Sequence, residues 1–458
     1  AEGVTVTNEA GRVIVHDLVN NGSAGQATFT TNPLVIGGVP RAGVIGGTLG
    51  TVIVNHTWSK IELVNLSAKD LWIGLIDPVD RTGRSKVTVN ADVNNYRFDI
   101  VHDYLPTRID IANLGVSGTP DIVLDGLVDN PIGDSHVVNL RGDILSTDTG
   151  LLRSNAVELA AAGNIGQNPA GSAYGRPIGR FGVELVQFDG TPTAMNAAAG
   201  GSQAIGVRGL DRDVSAAPFV LNLGTLQAGT DIDLLLLPTR VQTTVANAPA
   251  GYLLDVVEYQ PSFDAASGGS LPPQFAPGNP FVNHYKPDGS GPSFVPPLGV
   301  FGTGSGLQDT RVDVVLMQAG GNINVVAQHG STRIDFTAHT DLTGPGRIDV
   351  LTNGDITLTE VAGDLRAGLV FSTAGDVTLT AAGGIVDAQG DAAADVVGRR
   401  LAFTANGGGI GSAFNDLEID SAHAAAGDVF ALAAQGIHLH ELAGSLTVDA
   451  VVAGNGQD

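Results

Sequence analysis

The chain has 458 residues, 63 glycines, no cysteine, and 47 acidic against 23 basic side chains, which gives a formal net charge of −24 at pH 7. The absence of cysteine excludes disulfides and thiolate zinc sites. The acidic balance, without a basic stripe, argues against a nucleic-acid partner or an anionic membrane surface. The apolar runs are only a few residues long, so no membrane insertion is predicted.

Residue usage predicts an all-β chain rich in turns. Aspartate outnumbers glutamate 38 to 9, and arginine outnumbers lysine 19 to 4. Aspartate bonds nearby backbone amides at turns, whereas glutamate and lysine favour helix interiors. No window of the length of a helix shows a 3.6-residue period free of glycine or proline. Long helices are therefore not expected.

Residues 1–260 read as an N-terminal β-rich, β-helical region. Residues 3–7 and 12–16 alternate around a turn at 8–11 and predict an opening hairpin. The pattern Ile-x-x-x-Asn-Leu occurs at 61–66 and again at 109–114, which suggests repeated packing positions. Further strands are predicted at 51–54, 122–126, 157–160, 219–223 and 231–236.

Residues 261–300 interrupt this rhythm with prolines, glycines and aromatic side chains. Proline cannot donate to a regular strand ladder, so the segment is a loop or a linker. Because its aromatic side chains favour burial, a loop packed on the flank of the scaffold is preferred over a free tether. The sequence therefore predicts a Pro-rich excursion between two β regions.

Residues 301–458 carry the clearest repeat. The segment 355–359 (DITLT) returns as 376–380 (DVTLT), and 333–337 (RIDFT) is an earlier version. A period near 20 residues with one or two short strands indicates stacked coils, about 15 to 20 of them in a rod of roughly 70–100 Å. The alternative is an array of β-sandwich domains, whose strands recur every 8–12 residues.

A resemblance follows from these repeats. Residues 375–385 and 400–411, extended by 417–420 and 431–437, resemble the repeats of filamentous-haemagglutinin-like giant bacterial adhesins and exoproteins. The resemblance implies a right-handed parallel β-helix, export to the bacterial surface, and a role in adhesion, biofilm or surface display. The chain is expected to be a piece of a larger protein of that kind.

Candidate chemistry is sparse. His438 and His440 lie at i and i+2 on one strand face and could bind a metal, although a solvent-facing pair is the simpler interpretation. Close acidic pairs could bind Ca²⁺ or serve in glycoside cleavage; these are Asp231 with Asp233, Asp211 with Asp213, and Asp77 with Asp80. Metal ligands stay unassigned, calcium being the one ion considered.

The tripeptide Arg141-Gly142-Asp143 matches the integrin-binding sequence, but it stands where a Gly-Asp turn is expected between strands. No Gly-x-Ser-x-Gly elbow, phosphate loop or Cys/His cluster occurs. We therefore assign no catalytic and no cofactor-binding residue.

The sequence predicts a non-enzymatic, extracellular segment of a bacterial surface protein that presents a rod for attachment or surface assembly. Its partners would be a host or neighbouring-cell surface, a glycan, or other copies of itself. Two alternatives stay open, a β-helical polysaccharide-active enzyme and a self-assembling filament or sheath subunit.

Overall fold

The structure is a computed structural model. Between residues 2 and 102 it describes the strands, almost entirely by their backbone. From residue 108 to 454 it describes the chain except 115–116, 148–149, 167–178, 188–190, 212–218, 242–309, 328–331, 341 and 424–426.

The described chain is all-β, as the composition predicts. No helix in it has the length and apolar character needed to cross a membrane. The first ten strands are β1 (Glu2–Asn8), β2 (Gly25–Thr31), β3 (Leu34–Ile36), β4 (Val39–Arg41), β5 (Gly43–Val44), β6 (Thr51–Ile53), β7 (Trp58–Asn65), β8 (Leu71–Asp77), β9 (Ser85–Asp92) and β10 (Asn95–His102).

Ten strands precede the Pro-rich segment: β11 (Arg108–Asn113), β12 (Ile122–Asn139), β13 (Ile144–Ser146), β14 (Leu151–Ala161), β15 (Phe181–Gln187), β16 (Ala194–Ala199), β17 (Gln203–Asp211), β18 (Phe219–Ala228), β19 (Ile232–Leu236) and β20 (Arg240–Val241). The remaining strands are β21 (Thr310–Ala319), β22 (Ile323–Ala327), β23 (Thr332–His339), β24 (Ile348–Thr352), β25 (Ile356–Glu360), β26 (Leu365–Ser372), β27 (Val377–Ala381), β28 (Ile385–Asp387), β29 (Val396–Val397), β30 (Leu401–Ala405), β31 (Leu417–Asp420), β32 (Val429–Ala433), β33 (Leu439–Glu441) and β34 (Val448–Ala453).

One column of parallel strands runs through the whole described chain. Each member pairs with the next through a parallel ladder, in the order β1, β2, β7, β11, β12, β14, β16, β18, β21, β23, β25, β27, β30, β32 and β34. At about 4.8 Å per step, these pairings span roughly 67 Å.

A second parallel column is built from the first halves of the long strands β12 and β14, whose second halves belong to the first column, and from most of the strands that the first column skips. From β17 onward it runs through β19, β22, β24, β26, β28 with β29, β31 and β33. The chain therefore alternates between the two columns as it advances. Antiparallel pairing joins β9 to β10 and β3 to β4, outside the main sheet.

The core lies between the two columns. Along β25 and β27 every second side chain is buried, as the alternation of a strand requires. Successive strands place these buried positions in line, so that Ile356 stacks on Val377, which stacks on Leu401. The buried apolar side chains of both columns form one cluster from Ile73 to Ala433. Burial of this continuous apolar surface is the main stabilising contribution.

The predicted repeats are neighbours in the structure. Residues 355–359 and 376–380 fall on β25 and β27, which pair with Ile356 opposite Val377. The earlier version falls on β23, with Ile334 opposite Ile356. The two Ile-x-x-x-Asn-Leu copies fall on β7 and β11, with Asn65 opposite Asn113. The repeated packing positions predicted from the sequence are therefore confirmed as stacked positions.

Two predicted segments fall outside the described residues. They are the second strand of the opening hairpin at 12–16 and the Pro-rich excursion at 261–300. The strands on either side of the undescribed segment 242–309 are neighbours in the sheet, since β18 pairs with β21 and β19 pairs with β22.

Candidate functional site: a buried cluster of three carboxylates

Acidic and amide side chains form a ladder at one corner of the stack. Asp121 Oδ1 accepts a hydrogen bond from Asp143 N (2.8 Å), and Asp143 Oδ1 accepts one from Asn164 N (2.7 Å). Asn164 Oδ1 in turn accepts from Ser202 N at 2.9 Å. Each side chain thus satisfies a backbone N–H one level further along the stack.

The Arg-Gly-Asp tripeptide belongs to this corner ladder. Asp143 uses its carboxylate within the ladder, and Gly142 is buried where a Cβ atom would lie 2.3 Å from the carbonyl oxygen of Pro120. Only glycine fits that approach. The geometry agrees with the interpretation of the tripeptide as a joint between strands, with only Arg141 exposed.

The predicted acidic pair Asp231 and Asp233 is held in the same structural way. Asp231 Oδ1 accepts from Asn322 N (2.7 Å), while Asp233 pairs with Arg180 and accepts from Asn324 Nδ2 at 3.0 Å. Both carboxylates therefore stabilise the stacking of one level on the next.

The other predicted pairs are described only in part. Asp211 is fully buried at the end of β17, and Asp213 lies outside the described residues. Asp77 is the last residue of β8, but its side chain is not described, and Asp80 lies outside the described residues. In the described part of the chain, neither His438 nor His440 belongs to the group of three potential metal ligands. His438 is half-buried and His440 is exposed.

A charged ladder crosses four stacked strands of the second column. Asp129, Arg153, Glu184 and Arg208 occupy directly paired positions on β12, β14, β15 and β17. Arg153 lies 3.4 Å from Asp129 and forms a close ion pair with Glu184, and Arg208 lies 2.7 Å from Glu184. Glu184 and Arg208 are almost completely buried. Alternating signs let these charges compensate one another inside the protein.

A different kind of cluster lies near the end of the second column. Asp387 ends β28, Asp395 directly precedes β29, and Glu418 lies within β31. One carboxylate oxygen from each lies within 4.8 Å of the other two. All three residues are more than nine-tenths buried, with exposures of 6%, 3% and 6%. We call these residues the carboxylate triad.

Strand stacking brings the triad together. Val396 of β29 pairs with Ile419 of β31, which places Asp395 beside Glu418. Asp395 N donates to the backbone oxygen of Glu418 (2.9 Å), and Glu418 N donates to Asp395 Oδ2 (3.0 Å). Leu417 and Ile419 point into the core, so the side chain of Glu418 is on the opposite face of β31.

Hydrogen bonds satisfy the triad only partly. Asp387 Oδ1 accepts from Gln389 N at 2.6 Å, at the start of the exposed loop 388–394. Asp387 Oδ2 and Glu418 Oε2 are buried and have no hydrogen-bond partner. None of the three carboxylates takes part in an ion pair with a described cationic side chain. A buried carboxylate oxygen without a partner is costly.

The carboxylate triad shifts the pKa of Asp395. Burial, together with the charge of Asp387, a side-chain hydrogen bond with Asp387 and the charge of Glu418, raises the pKa of Asp395 to about 8, against the opposing effect of the hydrogen bond from Glu418 N. The exposed Asp391 in the adjacent loop behaves in the opposite way. Hydrogen bonds from Ala393 N and from Gln389 lower the pKa of Asp391.

This difference predicts a pH-dependent stability. Because the folded state favours protonated Asp395, the stability that this proton contributes is present below pH 4 and is lost as the pH rises towards 8. We consider the metal-free protein, in buffer that contains EDTA. Between pH 5.5 and 7.5 the unfolding free energy of the wild type should fall by about 1–3 kcal/mol relative to that of Asp395→Asn. Equilibrium unfolding in urea at each pH measures both free energies. Asp391→Asn is the control and should follow the wild type, and parallel curves for wild type and Asp395→Asn would contradict the prediction.

Sequence reasoning missed the triad. Asp387, Asp395 and Glu418 come from two successive levels of the stack and share no spacing motif. The sequence showed only that Glu418 lies between the apolar residues Leu417 and Ile419. Only the register between β29 and β31 shows which acidic residues meet there.

Comparisons with protein-family models, with curated proteins and with solved structures find no match to this chain. Function is therefore inferred from its residues and geometry.

Proposed function

We propose that the chain is a right-handed parallel β-helix and that it forms a structural, adhesive segment of an exported bacterial surface protein. The observation that supports the winding is the repeated alternation of the chain between two parallel columns that share one core. A chain that returns to the next strand of the same column after each pass through the other winds as a solenoid.

Charge and surface chemistry support a role in attachment. The net charge of −24 favours the solubility of such a rod through repulsion between copies. Exposed arginine and aspartate side chains form ion pairs along its outer face, as Arg311 does with Asp313 and Asp335. Individually such pairs contribute little to stability, so this face is available for contact with a glycan, a cell surface or another copy.

The arrangement of acidic side chains favours this role over polysaccharide cleavage. Glycoside hydrolysis uses two carboxyl groups that flank an accessible bond. Asp231 and Asp233 are engaged in the stack, and the carboxylate triad is buried. The adhesive interpretation needs no such pair.

A bead assay tests the proposal. Beads coated with the folded chain should adhere to cultured epithelial cells or to a bacterial biofilm several-fold more than beads coated with an equally acidic albumin. Beads coated with Phe403→Asp, in which a buried charge disrupts the stack, should lose this adhesion. Equal binding of all three bead types, or release of reducing sugars from the glycans offered, would overturn the proposal.

A further inference from the structure

We propose that Asp387, Asp395 and Glu418 bind a hard divalent cation, and that calcium is the ion that fits them best. The site is independent of the adhesive role, because it lies beneath the surface and is built by the stacking of β28, β29 and β31. Its three carboxylate oxygens already converge within 4.8 Å.

The first argument is the shortage of partners. Asp387 Oδ2 and Glu418 Oε2 are buried without a hydrogen bond, in residues that are each 94% removed from solvent. Ionisation of all three carboxyl groups without a counter-charge is unfavourable in a buried site. Elsewhere in the chain, arginine compensates the charge of a buried carboxylate, since Glu184 forms ion pairs with Arg153 and Arg208. At the triad a metal cation would supply the missing positive charge.

The second argument is the chemistry of the ligands. All three side chains offer oxygen only, which suits calcium, magnesium or manganese and does not suit zinc, which prefers nitrogen and sulfur. Two oxygens that contact one calcium ion can be up to roughly 5 Å apart, and the triad meets this limit. Magnesium requires near-ideal octahedral geometry and retains several waters, so a buried group of three carboxylates favours calcium.

The third argument is the position of the site in the chain. Asp387 and Asp395 stand at the two ends of the exposed loop 388–394, and Glu418 stands on the next level of the stack. Gly390, at φ +66°, faces the turn that contains Asn415, whose Oδ1 would lie 3.9 Å from a Cβ there. A cation would therefore fix the base of this loop to β31 and stabilise this part of the stack.

The test uses the whole chain, stripped with EDTA and then dialysed. Calorimetric titration with CaCl₂ should show one site that is saturable and stronger than the weak binding to surface acids. Asp395→Asn and Glu418→Gln should each weaken this site at least about tenfold. Asp391→Asn removes the same charge from the exposed loop and should leave the site unchanged.

Thermal unfolding separates binding from a folding defect. In EDTA at pH 8, Asp395→Asn should melt at a higher temperature than the wild type, because it removes a buried charge. With CaCl₂ the wild type should gain stability and Asp395→Asn should gain clearly less. MgCl₂ at equal ionic strength should give a smaller gain.

Two results would overturn the proposal. One is a wild-type chain whose stability and heat of titration do not respond to calcium, magnesium or manganese beyond the effect of ionic strength. The other is a calcium response that Asp391→Asn reduces as much as Asp395→Asn does, which would assign the binding to the diffuse acidic surface.

Discussion

Replacing Phe403 by alanine should lower the free energy of unfolding by about 3–5 kcal/mol. Phe403 is fully buried in β30, stacked between Leu379 of β27 and Ala431 of β32. Alanine would leave a cavity between levels that cannot close without shifting both neighbouring strands. Urea unfolding gives the free energy, and amide hydrogen exchange in β27, β30 and β32 reports the local loss.

Phe414 supplies the matched control. It is fully exposed in the turn that precedes β31, so Phe414→Ala should change the unfolding free energy by no more than about 0.5 kcal/mol. If both alanine variants cost the same, β30 does not lie inside a packed stack.

Replacing Glu184 by glutamine should destabilise the chain by about 3–5 kcal/mol. Glu184 lies between Arg153 and Arg208 in the register of three strands and is itself fully buried. Glutamine fills the same volume but leaves two guanidinium groups facing one another without the shared negative charge. Equilibrium unfolding in urea measures the loss.

Glu158 offers a comparison in the neighbouring column. It lies 3.3 Å from His136 with its side chain 57% exposed. Because solvent screens an exposed pair, Glu158→Gln should cost about 0–1 kcal/mol. A Glu184→Gln variant as stable as Glu158→Gln would show that the ladder of Asp129, Arg153, Glu184 and Arg208 is not buried in solution.

Much of the architecture could be predicted from local patterns. The repeated segments at 333, 355 and 376 begin at a corner and alternate polar with apolar residues, and they stack in register in the structure. The repeats stack in register because the turns that connect them have nearly equal lengths. The corner role of Asp143 was predictable for a related reason, since a Gly-Asp turn is defined by neighbouring residues.

The buried charges could not be predicted in the same way. Glu184 meets Arg153 and Arg208 at separations of 31 and 24 residues, because the loops between their strands differ in length. The carboxylate triad likewise depends on the loop 388–394, which breaks the regular period. Residue spacing carries no information about register once loop lengths vary. The contacts of the predicted pair Asp231 and Asp233 also depend on this register, since adjacent levels engage both carboxylates.

The most direct test of the stacked account is a pair of distances between spin labels. The sequence has no cysteine, so Glu158→Cys can be combined with Thr359→Cys or with Leu432→Cys without background labelling. The first column places five parallel pairings between Glu158 and Thr359, and eight between Glu158 and Leu432. Pulsed electron–electron double resonance should give distances near 24 and 38 Å at about 4.8 Å per pairing. A difference of about 14 Å, in which the label arms cancel, would support one continuous stack, whereas equal distances or a shorter second distance would contradict it.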